Sequence, residues 1–143
     1  MYFDDMTVGM TVEIPPVVIE KEKMLAFARE YDNIPLHTDE EYAKRTRFGG
    51  LIAPGVMTFM TVWAEFLKAD LYGDELVAGK STHIEWLAPV YPGDRLTSRA
   101  TVTALERRGT RSGLVTLTVE VWNAEGHKVL RDVTESVVLC RPA

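Results

Sequence analysis

The run "LIAPGVMTFMTVWA", Leu51 to Ala64, is apolar on every side. A helix with no polar face has to be enclosed all round by the rest of its fold. The run is shorter than the roughly 18 residues that a bilayer span needs, and Pro54 and Gly55 interrupt it. It therefore reads as the buried helix of a soluble protein, and the rest of the chain has to cover it. After Gly79 the pattern changes to the β-rich runs "STHIEWLAPV", "RLTSRATVTALER", "GLVTLTVEVWN" and "HKVLRDVTESVVLC". Their separators "YPGD", "RRGTRSG" and "NAEG" are turn-type sequences, so successive strands are expected to pair antiparallel.

Upstream, Val12 to Ile19 alternates loosely around Pro15 and Pro16, which suits an irregular or edge strand. In "KEKMLAFAREYD" the positions Met24, Leu25, Phe27, Ala28 and Tyr31 fall at helical spacing, so a helix there delivers Asp32 at its C-terminal end. Thr38 followed by Glu41 is a capping-box pattern. It predicts a second short helix from Asp39, with Tyr42 and Ala43 turned inward and His37 just ahead of its start. An early strand, helices, one all-apolar helix and then long strands imply an α+β domain. The outline is that of a hotdog fold, an antiparallel sheet wrapped around a central hydrophobic helix, formed as a single domain over residues 1–143. Such a sheet covers its helix on one side and ends in a free edge, so a homodimer or a multiple of dimers is expected.

The 46% apolar and 26% charged composition is that of an ordinary globular chain, which removes disordered and low-complexity classes. A net charge of −5 with no Lys/Arg stripe argues against nucleic acid as a partner. The start "MYFDDMTVG" carries acids where a secretory signal carries Lys or Arg and has no apolar stretch behind it. Neither export nor a membrane partner is expected. The single cysteine, Cys140, rules out an intrachain disulfide and reads as a buried thiol of a cytoplasmic protein.

Chemistry enters at "YDNIPLHTDE", which sets Asp32 and His37 on either side of Pro35. The proline fixes its own φ and pushes Ile34 toward extended backbone. An acid and an imidazole on such a turn can converge on one water and divide acid and base roles. The same spacing also fits a helix-capping Asp and a His bonded to backbone. Gly55 follows Pro54 at the start of the apolar helix, where free N–H groups and the helix dipole favour a developing negative charge. A plain Pro-first helix start accounts for that pair equally well. His83 and His127 have no partner spacing for a metal, so none is expected. Trp63, Trp86 and Trp122 read as core and interface anchors.

The motif "YDNIPLHTDEEYA" resembles the MaoC-like dehydratases and (R)-specific enoyl-CoA hydratases, whose pattern is roughly G-D-x-N-P-[LIV]-H followed by an alanine. It matches at Asp32, Pro35, Leu36, His37 and Ala43. "FGGLIAPGVMT" and "WLAPVYPGD" are similar to the family's helix entry and to its strand and turn. The resemblance implies a hydro-lyase acting on an enoyl-CoA and 3-hydroxyacyl-CoA pair. Asp32 and His37 would be catalytic, the Gly55 N–H the oxyanion donor, and Pro54, Val56 and Asn33 substrate-binding. Asn33 neighbours Ile34, which stands where the motif has asparagine, and Tyr31 replaces the motif's glycine. No cofactor is implied beyond coenzyme A as part of the thioester. Lys44, Arg45, Arg47, Arg107, Arg108 and Arg111 are the candidates to meet its phosphates. The rival readings are a hotdog acyl-CoA thioesterase and a non-catalytic acyl-thioester-binding subunit.

Overall fold

A computed structural model describes residues 1–143. Strand β1, Thr11–Val18, is followed by helix α1, Lys21–Tyr31, a one-turn helix α2, Pro35–Thr38, and the short α3, Glu40–Lys44. Helix α4, Gly55–Lys68, precedes four strands: β2, Leu76–Trp86; β3, Arg95–Arg108; β4, Ser112–Trp122; and β5, Lys128–Leu139. They form one antiparallel sheet in the order β1-β3-β4-β5-β2.

The sheet buries one face most deeply through alternate residues of its central strands. On β4 the residues Val115, Leu117, Val119 and Val121 are wholly buried, and Val102, Ala100 and Leu96 continue that layer on β3. They share a core with Met57, Phe59, Val62 and Phe66 of α4, which makes α4 the helix that the sheet wraps. This is the hotdog arrangement. Enclosure is one-sided, however. Val56, Met60 and Leu67 of α4 are each about half exposed, so the all-round burial expected of an apolar helix is not completed within one chain.

Strand pairing departs from a simple meander. β3, β4 and β5 pair in succession, but β2 lies against β5 and β3 takes β1 as its other neighbour. The segment after Trp86 leaves the sheet at Leu87 to Val90, where Pro89 and Pro92 deny a hairpin its donors. Asp94 closes the "YPGD" turn by accepting from the Tyr91 N–H. That turn is tied to the end of β1 through Ile19 N–H to Asp94 O and Gly93 N–H to Ile19 O. Pro15 and Pro16 sit at a register shift in β1, an edge strand.

One carboxylate lies inside the sheet. Asp132 on β5 is wholly buried and accepts from the hydroxyls of Thr82 and Thr134. Burial pushes its carboxyl above the usual aspartate range, against the two hydroxyls and the neighbouring His83, which pull it down. An acid raised on folding favours the folded state while protonated, and that advantage is lost as pH rises through the folded value. Asp132→Asn is therefore expected to gain stability relative to the native protein as pH rises above the ordinary aspartate value of about 4. Urea unfolding across that range checks it; a difference independent of pH contradicts it.

Candidate active site

Three local features bring Asp32 and His37 together. Asp32 ends α1: its N–H bonds Ala28 O, and its own carbonyl accepts from Ile34 N–H, both at 2.9 Å. Ile34 is extended, at φ −120° and ψ 152°, and Pro35 then begins a helical turn instead of only breaking one, as the first position of a helix permits. His37 lies inside that turn and, as expected, just ahead of α3. Asp39, not Thr38, caps α3 by accepting from Tyr42 N–H, while the Thr38 hydroxyl donates back to Ile34 O. Ala43 is buried as expected, but Tyr42 points outward and is about half exposed.

His37 is buried, and its Nδ1 stands 2.7 Å from Ile52 O. A carbonyl can only accept, so Nδ1 carries the hydrogen. The same segment is also tied by Ile52 N–H to Leu36 O. Nε2 is left facing Asp32 Oδ2 at 3.3 Å. A neutral imidazole would present a lone pair there, toward a carboxylate.

Asp32 is the half-exposed member, and it opens into a cavity of about 380 Å³. Gly55 lines the same cavity as the first residue of α4 behind the cap Pro54. The N–H groups of Gly55, Val56 and Met57 have no partner within the chain; the first bond of α4 in sequence is Thr58 N–H to Pro54 O, at 3.1 Å. Unpaired N–H groups at the positive end of a 14-residue helix are suited to stabilising an oxyanion. Val56 lines the cavity as well. Pro54 shapes the helix entry from behind the wall, and Asn33 is exposed and outside it. Tyr31 and Ile34, the two departures from the motif, also point away from the cavity into the open.

Three further residues, Trp86, Arg47 and Thr58, line the cavity wall. Trp86, expected as an anchor of the core or an interface, ends β2 more than half exposed, with its indole pressed on Gly55. A Cβ built on Gly55 would stand 2.1 Å from Trp86 Nε1, so glycine is required there by close approach. Trp63 does join the aromatic core, 4.8 Å from Phe66. Arg47, alone of the six basic candidates, lines the cavity, with its guanidinium over the Phe48 ring and no carboxylate partner. Arg107 is engaged with Asp4, and Lys44 with Glu41. Thr58 is the third: one turn into α4 from Gly55, it was the lone polar residue of "GVMTFM" and so could have been flagged from spacing.

Comparison with known proteins identifies the family. A family described as "MaoC like domain" matches residues 5–124. The protein YdeM of Bacillus subtilis is 30% identical over 130 residues, 90% of this chain and 92% of that one. The (R)-specific enoyl-CoA hydratase of Rhodospirillum rubrum is 31% identical over 108 residues, 73% of this chain and 71% of that one. The solved structure of a MaoC-like dehydratase from Rhodospirillum rubrum has a TM-score of 0.90 at 31% identity, covering 100% of this chain and 99% of that one. Fold, motif order and relatives converge, and the chain belongs to the MaoC-like dehydratase family.

Proposed function

We propose that the protein adds water reversibly across the double bond of an enoyl-CoA to give a 3-hydroxyacyl-CoA. The observation that carries this reading is the shared cavity of Asp32 and the unpaired Gly55 N–H, with His37 braced behind the carboxylate. A thioester oxygen at Gly55 gains its hydrogen bond most strongly as the enolate develops, which is where binding lowers the barrier. Asp32 and His37 hold the attacking water; one takes its proton while the other protonates Cα. Coenzyme A enters as part of the substrate. The test is incubation with crotonyl-CoA: absorbance of the conjugated thioester should fall with no release of free thiol. Stoichiometric thiol release would make the protein a thioesterase, and no reaction across short, long and branched enoyl-CoAs would leave it a non-catalytic binder.

The same reading includes a second copy of the chain. β2 has a free edge and is exposed along nearly its whole length, with Leu76 and Val77 open to solvent, and Val56, Met60 and Leu67 of α4 are also uncovered. A free edge and uncovered apolar surface are what self-association covers. Light scattering at micromolar concentration should give twice the 16.1 kDa chain mass or a multiple of that. A mass of one chain contradicts it.

A further inference from the structure

We infer that Tyr91 is a positioning residue of the cavity: its hydroxyl latches the wall formed by Arg47 and Phe48, and releasing that latch weakens substrate binding without slowing the chemical step. This deepens the acyl-thioester reading above and rests on it. Two segments without helix or strand supply much of the wall, Arg47, Phe48, Ile52 and Ala53 from one and Leu87 to Val90 from the other. Tyr91 follows directly on the second.

Two hydrogen bonds join these segments, one on either side of a glycine pair. Ala53 N–H donates to Val90 O at 2.7 Å, and the Tyr91 hydroxyl donates to Phe48 O at 2.8 Å. Between them Gly49 has a φ of +70°, and a Cβ built on Gly49 or Gly50 would have no neighbour within 4 Å, so packing does not restrain the pair. Past the glycines the chain has other holds, because Leu51 is buried in the core and Ile52 N–H reaches Leu36 O. Ahead of them every other bond is local. The Thr46 N–H and hydroxyl both donate to Ala43 O, the Phe48 N–H donates to the Thr46 hydroxyl, and the Gly49 N–H donates to Thr46 O. Phe48 is only partly buried and stands outside the core cluster. The Tyr91 hydroxyl is therefore the one hydrogen bond that ties Arg47 and Phe48 to a distant part of the chain.

The donor itself is firmly mounted. Tyr91 N–H bonds the Asp94 carboxylate, Asp94 N–H returns to Tyr91 O, and Ile19 bonds the same turn through both its N–H and its carbonyl. A wall set in place before the substrate arrives costs no ordering on binding, which is how preorganisation raises affinity. The reacting groups stand on other elements, Asp32 at the end of α1 and Gly55 at the start of α4. Ile52 O, the acceptor for His37, lies past the glycine pair and keeps its own holds. Loss of the latch thus moves the wall and spares the chemistry.

The test is Tyr91→Phe, which removes the hydroxyl and keeps the ring. Titration calorimetry with butyryl-CoA, which has no double bond to hydrate, should show affinity reduced by about 2- to 10-fold, the worth of one neutral hydrogen bond. With crotonyl-CoA, KM should rise to match while kcat stays at the native value. A merely structural role would lower the amount of folded enzyme and leave KM alone. Hydrogen exchange at the Gly49 amide should quicken, which reports the latch without any turnover. Native affinity for butyryl-CoA, or native exchange at Gly49, in a folded Tyr91→Phe overturns this inference alone. If the native protein binds no butyryl-CoA, the acyl-thioester reading falls and this inference falls with it.

Discussion

Asp32→Asn and His37→Gln are each expected to lower enoyl-CoA hydration by about 10²- to 10⁴-fold, the contribution of a positioned acid or base, while leaving the fold intact. Each substitution is close to isosteric and preserves the local bonding that shapes the turn. Asp32 holds the end of α1 through backbone bonds to Ala28 and Ile34, which its side chain does not enter. Glutamine at position 37 is uncharged and similar in size, and the turn around it is held by backbone bonds, among them Asp39 N–H to Pro35 O. What each variant removes is an acid–base group from the pair that meets across the 3.3 Å contact. Because the two groups act as a unit, the double variant should be little worse than either single one. Rates beside circular dichroism spectra check this. Near-native activity in a natively folded single variant would exclude that residue from the chemistry.

Gly55→Ala should be nearly as damaging to activity, for a different reason. The added Cβ would lie 2.1 Å from Trp86 Nε1 and 2.2 Å from its Cε2, closer than real contacts allow. The backbone of α4 is fixed by the core contacts of Met57, Phe59 and Val62, so the more exposed Trp86 is the group that moves. Alanine is otherwise well tolerated in a helix, and stability should change little. The indole would leave the cavity wall, and the approach to the Gly55 N–H would be obstructed. A loss of about 10²- to 10³-fold, as for removal of an oxyanion donor, is expected. A shift in tryptophan fluorescence should accompany it. Replacing Trp86 with a small residue in the same variant should restore part of the activity if steric conflict is the cause. Unchanged activity and unchanged fluorescence in Gly55→Ala would refute this account of the helix start.

Much of this architecture is local and so was legible in the sequence. The helical spacing of Met24, Leu25 and Ala28 places Asp32 at a helix end, and the steric demand of Pro35 makes Ile34 extended. The apolar run marks α4, and the alternation in β4 and β5 marks their buried face. Motif order also identified the family. What failed depended on groups distant in the chain. β2 pairs with β5 across some fifty residues, and hairpin chemistry in the neighbouring turns says nothing about that. Pro35 was legible as a helix breaker, but its role as the first residue of a new turn depends on the bond from Asp39 N–H to Pro35 O. Asn33 adjoins the catalytic candidate in sequence yet lies outside the cavity, because the extended Ile34 and the turn after it carry the chain past the opening. Trp86 looked like a core anchor because apolar bulk is usually buried. Only the approach of β2 to the start of α4 shows it pressed against Gly55.

The central claim is that water goes to the β-carbon while the thioester stays whole, and isotope placement tests it most directly. Crotonyl-CoA is converted in water enriched in oxygen-18, and the products are separated and weighed by mass spectrometry. The geometry of Asp32, His37 and Gly55 predicts one heavy oxygen on C3 of 3-hydroxybutyryl-CoA, with coenzyme A still attached. Heavy oxygen in a free carboxylate, with unlabelled C3 and liberated coenzyme A, would contradict it.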